Sequence, residues 1–137
     1  MRVIPTRIHG ILDYIEAVGL VFAPLIFGFA AVGGAAVVIP VTLGIALAVY
    51  SFFTDYEAGF FKMIDMQYHL MLDIAAAAFL ALSPFLFGFA EQALNVWLPH
   101  VLVGIAVILI VIFSKTEHAA YRRETRRHHH HHPRAAL

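Results

Sequence analysis

No cysteine occurs in the 137 residues, which excludes disulfides, iron–sulfur ligation and thiol catalysis. Charge is nearly as scarce. Asp, Glu, Lys and Arg together supply 13% of the chain, where a soluble globular domain carries about a quarter. No charged residue lies between Ala17 and Phe53, between Ile74 and Ala90, or between Val96 and Phe113. There is no glycine-rich nucleotide loop and no polar stretch long enough to form a soluble domain. A chain so built has little means of running chemistry on a soluble substrate, so neither enzymatic turnover, a cofactor nor a nucleic-acid partner is expected.

What fills the chain is apolar: 61% hydrophobic residues and a mean hydropathy of +0.82. The lipid bilayer is its solvent. Crossing a hydrocarbon core of about 30 Å takes roughly 20 helical residues at 1.5 Å each. The uncharged stretches therefore predict an all-α, four-helix transmembrane bundle, with helices near residues 10–30, 36–54, 70–90 and 95–114. The first uncharged run is too long for one span, and Gly33-Gly34 is where it turns. Asp13 and Glu16 at the head of the first apolar segment, and its counterpart later in the chain, argue for a permanent span over a cleaved signal peptide.

That counterpart is close. A shift of 60 residues without a gap places His9 on His69, Asp13 on Asp73, and the run from Pro24 to Ala30 on that from Pro84 to Ala90. Of the 54 pairs formed between residues 4–57 and 64–117, 17 are identical, roughly three times chance for this composition. The chain divides into a first hairpin repeat (1–60), a second (61–117) and a basic tail (118–137) expected to be disordered. The tail holds His128 to His132, which reads as a metal-binding tract or an expression tag and carries no function here.

Arg2 and Arg7 precede the first helix, Lys62 lies between the second and third, and Lys115 and the five tail arginines follow the fourth. Every basic residue thus falls on one face. The positive-inside rule puts both termini and the 55–68 connection in the cytoplasm, in an inner-membrane protein. Tyr14, Tyr50, Tyr56 and Tyr68 are placed as interfacial aromatics at that boundary, with Trp97 at the other. Thr54 with Glu57, and Ser114 with Glu117, have capping-box spacing. Phe60 and Phe61 are expected in an interfacial turn among lipid headgroups.

Identities between the first and third helices fall three and four apart, on one stripe, and predict that these helices face each other. Val41, Gly44, Ile45 and Ala46 recur as Val101, Gly104, Ile105 and Ala106, where the small residues allow close helix packing. Pro24 and Pro84 remove a helical donor, and with Gly28 and Gly88 one turn later they are expected to kink the first and third helices. His100 reads as an interfacial residue and Glu16, replaced by Ala76 in the second copy, as a snorkelling one.

The shared stripe carries the chemistry: His9 with Asp13, and His69 with Asp73, each four residues apart. Ionisable groups entering a span point to a proton, ion or metal site. Set against this, the same groups near a helix start can simply tie the repeats together by hydrogen bonds. No metal is assigned from the sequence.

The proline motif reads Ala23-Pro24-Leu25 in the first copy and Ser83-Pro84-Phe85 in the second, each followed by Phe-Gly-Phe within a two-helix repeat. In this the chain resembles the SPW-repeat family of small bacterial integral membrane proteins, although both copies lack the tryptophan. The resemblance covers residues 4–117 and implies four membrane helices without implying an activity. Two functions are expected on these grounds. One is a structural or accessory membrane protein that packs with itself or with a larger complex; the other is a minimal proton- or ion-translocating transporter using His9, Asp13, His69 and Asp73. A metalloenzyme ranks below both.

Overall fold

In the computed structural model, which describes residues 1–117, the chain forms α1 (Thr6–Ile26), α2 (Gly34–Phe52), α3 (Met66–Leu86) and α4 (Leu94–Phe113), with no strand among the described residues. The His run lies outside them. All four helices are long and apolar enough to cross a membrane, and only 28–39% of each span is buried within the protein. The remaining surface presents side chains such as Ile15, Val18, Leu25, Val38, Leu102 and Ile112 outward. Apolar side chains on so much of the surface suit lipid and not water; the protein is a multi-pass membrane protein.

The helices run up and down as two hairpins, α1 against α2 and α3 against α4, and the hairpins join along α2 and α3. Glycine sets the spacing inside each. A Cβ on Gly44 would lie 2.7 Å from the Ala17 carbonyl oxygen, and one on Gly104 would lie 2.5 Å from that of Ala77. Both distances are well inside the C···O contact range of about 3.3–3.6 Å. Between the hairpins, Leu20, Ile39 and Leu80 form a buried apolar cluster.

Helices α1 and α3 begin and end about four residues earlier than the hydropathy pattern predicts. At the C-terminal ends the reason is a pair of Schellman turns. Gly28 (φ 72°) and Gly88 (φ 71°) take the left-handed conformation just past the helix ends. The Phe29 amide donates to the Pro24 carbonyl and the Phe89 amide to the Pro84 carbonyl, each at 2.9 Å. Phe29 and Phe89 are thereby folded into the core, 1% and 6% exposed. Pro24 and Pro84 sit in the last turn, so the Pro–Phe-Gly-Phe motif stops each helix instead of bending it in mid-membrane. A 3₁₀ turn at Ala30–Val32 and the positive φ of Gly33 and Gly34 then reverse the first hairpin.

At the opposite end, no helix starts at Thr54. Residues 53–65 form an irregular connection tied back by a one-pair bridge between Thr54 and Ile64, while Ile4 pairs with Ser114. Phe60 stacks on Phe52 at 4.5 Å and Phe61 on Phe53 at 5.6 Å. Phe60 and Phe61 remain exposed.

Candidate functional site

His9 and His69 lie in the first turn of α1 and α3, and Asp13 and Asp73 follow one turn deeper. Asp13 stands seven positions beyond Thr6 and Asp73 seven beyond Met66, which carries the carboxylates about 10 Å into the helices. All four residues are 0–3% exposed.

The pairs cross between repeats. His9 Nε2 lies 3.0 Å from Asp73 Oδ2 and 3.3 Å from Asp13 Oδ1. His69 Nε2 lies 3.0 Å from Asp13 Oδ2 and 3.2 Å from Asp73 Oδ2. One ligand atom from each residue falls within 4.8 Å of all the others. The four groups therefore make a single centre, a convergence that the sequence leaves open.

Each member is held from behind. Thr54 Oγ1 donates to the Tyr50 carbonyl at 2.6 Å and Ser114 Oγ to the Ile110 carbonyl at 2.7 Å. Their single protons are thus committed, so each hydroxyl oxygen accepts from an imidazole: His69 Nδ1 at 2.8 Å and His9 Nδ1 at 2.7 Å. This fixes the tautomer, with Nδ1 protonated and Nε2 turned to the carboxylates. The Tyr50 hydroxyl donates to Asp73 Oδ1 at 2.7 Å and the Tyr56 hydroxyl to Asp13 Oδ2 at 2.9 Å. Burial and the neighbouring Asp13 push the Tyr56 phenol above its ordinary range, which keeps it a donor.

These partners lie elsewhere than their sequence positions predict. Tyr50 and Tyr56, expected at the interface, both reach the centre, and Tyr56 is fully buried. Thr54 and Ser114 start no helix; each sits at or just past the end of one and orients a histidine of the other hairpin. Glu57 accepts from Thr6 Oγ1 at 2.6 Å, pinning the connection to the start of α1. The connection can come so close because Gly10 has no Cβ, which would stand 2.7 Å from the Tyr56 ring. The main signal for these partners was the repeat itself, which aligns hydroxyl-bearing Thr54 with Ser114.

Two carboxylates in an apolar interior demand compensation, since an unpaired buried charge costs several kcal/mol (about 3–5 when one partner of a pair is removed). With both Nδ1 atoms already protonated and neutral imidazoles, the centre carries a net charge of minus two. Balance requires two positive charges within the centre: either two protons, on the Nε2 atoms or the carboxylates, or one divalent cation.

Elsewhere in the interior, Glu16 is half-buried beside Tyr50 and Asp73, not out at the surface. It also lines an apolar cavity of about 300 Å³ that runs along Leu20, Leu80 and Val103 to His100. His100 is buried instead of interfacial, its Nδ1 2.8 Å from the Val96 carbonyl and its Nε2 3.0 Å from that of Ala36. In the second repeat the Ser83 hydroxyl donates to the Leu80 carbonyl at 2.7 Å. It replaces the amide that Pro84 lacks; Ala23 offers no such hydroxyl in the first.

Four lipid-crossing helices in two like-directed hairpins, closed around a sealed polar centre, define a small polytopic membrane protein. The chain matches the SPW repeat domain over residues 7–114 and belongs to that family. Comparison with curated proteins and with solved structures finds no match.

Proposed function

We propose that the protein is a structural or accessory component of the cytoplasmic membrane, both termini inside, working by helix packing with itself or with a partner and without catalytic turnover. The observation that carries this reading is the crossed pairing of the repeats, a His9–Asp73 hydrogen bond and a His69–Asp13 ion-pair contact, each at 3.0 Å and each between buried groups. It acts as a polar lock that fixes one hairpin against the other. The positions of Arg2, Arg7, Lys62 and Lys115, all at the end where the helices begin and finish, support the orientation.

A second reading, proton translocation, has one observation in its favour. Glu16 lies between the centre and the cavity that reaches His100, so titratable groups recur along the interior. Purified protein in proteoliposomes separates the two. The lock predicts no protonophore-independent flux between about pH 5 and 8 and a loss of stability in Asp13→Asn and Asp73→Asn. Because both carboxylates share His9 and His69, the double variant should lose less than the sum of the singles, by about 0.5–3 kcal/mol. Flux abolished by Asp73→Asn or Glu16→Gln in a folded protein would replace the lock with the transporter. Additive or negligible losses of stability would remove the lock.

A further inference from the structure

We infer that the centre of His9, Asp13, His69 and Asp73 is a binding site for one divalent first-row transition ion, with zinc as the reference metal; the inference rests on the lock reading and names what closes the lock.

Geometry comes first. With metal–ligand bonds of about 2.0–2.1 Å, a tetrahedral site has ligand–ligand edges of about 3.3 Å. The four imidazole–carboxylate separations are 3.0, 3.0, 3.2 and 3.3 Å. The imidazole–carboxylate pairs stand near that edge, and one ligand atom from each of the four residues lies within 4.8 Å of all the others, close enough for a single ion to gather them.

A second observation is independent of spacing. His69 Nε2 is buried without a hydrogen-bond partner. It lies 3.0 Å from Asp13 Oδ2 and 3.2 Å from Asp73 Oδ2 without forming a hydrogen bond to either. A protonated nitrogen would be expected to aim at one carboxylate; a lone pair aimed into the space between them is what a metal uses. The Nδ1 atoms, engaged by Thr54 and Ser114, leave both Nε2 atoms facing the carboxylates, His69 Nε2 without a hydrogen bond and His9 Nε2 3.0 Å from Asp73 Oδ2.

The surrounding shell has the same character. Ligating histidines ordinarily donate their other nitrogen to an oxygen acceptor, and ligating carboxylates are themselves hydrogen-bonded. Here the acceptors are Thr54 and Ser114, and the donors to the carboxylates are Tyr50 and Tyr56. A divalent ion supplies the two positive charges the carboxylates require and leaves the site neutral. Two imidazoles with two carboxylates suit zinc, manganese, iron or cobalt, whereas magnesium and calcium prefer oxygen alone. Four protein ligands with no open position describe a structural site, as a lock needs.

The test uses the full-length protein in detergent with His128 to His132 replaced by serine, which removes the competing tract. Stripped protein is titrated with Co²⁺ and then Zn²⁺. About one equivalent should bind per chain, Co²⁺ should develop the strong visible bands of a tetrahedral ion, and Zn²⁺ should bleach them. His69→Gln should abolish the bands. Tyr50→Phe, which keeps all four ligands, should weaken affinity about 10- to 100-fold, so the inference stays testable even if the ligand variant does not fold. Folded protein that takes up no metal, or takes it up equally after His69→Gln, overturns the metal. The lock by itself survives that result, and falls only if the aspartate variants leave stability unchanged.

Discussion

Gly104 is the position where the packing of the second hairpin can be measured most directly. An added Cβ would meet the Ala77 carbonyl oxygen at 2.5 Å, the Ala81 Cβ at 2.7 Å and the Ala81 amide nitrogen at 2.9 Å. Two of these are backbone and the third cannot rotate away, so α4 itself must move. Restoring an ordinary C···O contact of about 3.3 Å means opening the hairpin by about 0.8 Å there. At Gly44 the corresponding contact is 2.7 Å, and the other neighbours, Leu20 Cβ and Val21 Cγ2, stand at 3.0 Å; the opening needed is about 0.6 Å. Overpacking of this kind costs about 1–3 kcal/mol, offset by the helix preference of Ala over Gly, up to about 1 kcal/mol. Gly104→Ala should therefore lose about 1–2 kcal/mol and Gly44→Ala less. Gly19 supplies the control, since a Cβ there has nothing within 4 Å; Gly19→Ala should be neutral or gain up to about 1 kcal/mol. Reversible unfolding in mixed micelles, followed by helical circular dichroism and by the fluorescence of the single tryptophan Trp97, reads all three. Equal stability of Gly104→Ala and the parent, or equal losses at Gly19 and Gly104, would refute the close-approach argument.

Two further outcomes follow from particular residues. Ser83→Ala strips the Leu80 carbonyl of its donor and should cost about 0.5–1.5 kcal/mol in the same unfolding assay, while Ala23→Ser in the first repeat, where Pro24 leaves the same gap, should change stability in the opposite direction. The absence of cysteine allows single-cysteine mapping of orientation: Lys62→Cys should be blocked by an impermeant thiol reagent only after the membrane is opened, and Glu91→Cys in intact spheroplasts. Labelling of both from outside would overturn the proposed orientation.

Much of the architecture is legible in the sequence because lipid leaves the backbone few options. Uncharged runs of sufficient length must be helices, the 60-residue shift shows that there are two equivalent hairpins, and Gly33-Gly34 marks their first reversal. Helix ends are less legible. Phe-Gly-Phe looks like the continuation of an apolar span, and only the left-handed φ of Gly28 and Gly88 shows that the chain has already left the helix. The chemistry is legible in its ligands but not in its partners. His9, Asp13, His69 and Asp73 announce themselves by repeating in lipid, whereas Tyr50, Thr54, Tyr56 and Ser114 resemble ordinary interfacial or capping residues. Their role depends on how the 53–65 connection folds back, which rests on contacts such as Gly10 beneath the Tyr56 ring and Gly59 beside the Thr54 carbonyl. Such contacts are long-range and leave no periodic trace.

The duplication also explains the shape of the centre, and where it departs from symmetry. Each hairpin contributes one imidazole, one carboxylate and one hydroxyl, and each hydroxyl serves the histidine of the other hairpin, Thr54 to His69 and Ser114 to His9. One hairpin alone holds half the set, so the centre can form only where two hairpins meet. The phenols break this rule. Sixty residues beyond Tyr50 and Tyr56 stand Ile110 and Thr116, so both carboxylates take their tyrosine bonds from the first copy and the connection that follows it. Glu16, opposite Ala76, is also confined to the first copy. Two identical hairpins associating as a dimer could not place Tyr56 on one carboxylate and Tyr50 on the other without duplicating both; a single chain can. The halves are consequently not interchangeable: the second supplies the match to the first in the inner ring of ligands, while the first alone supplies the phenols that hold both carboxylates in place.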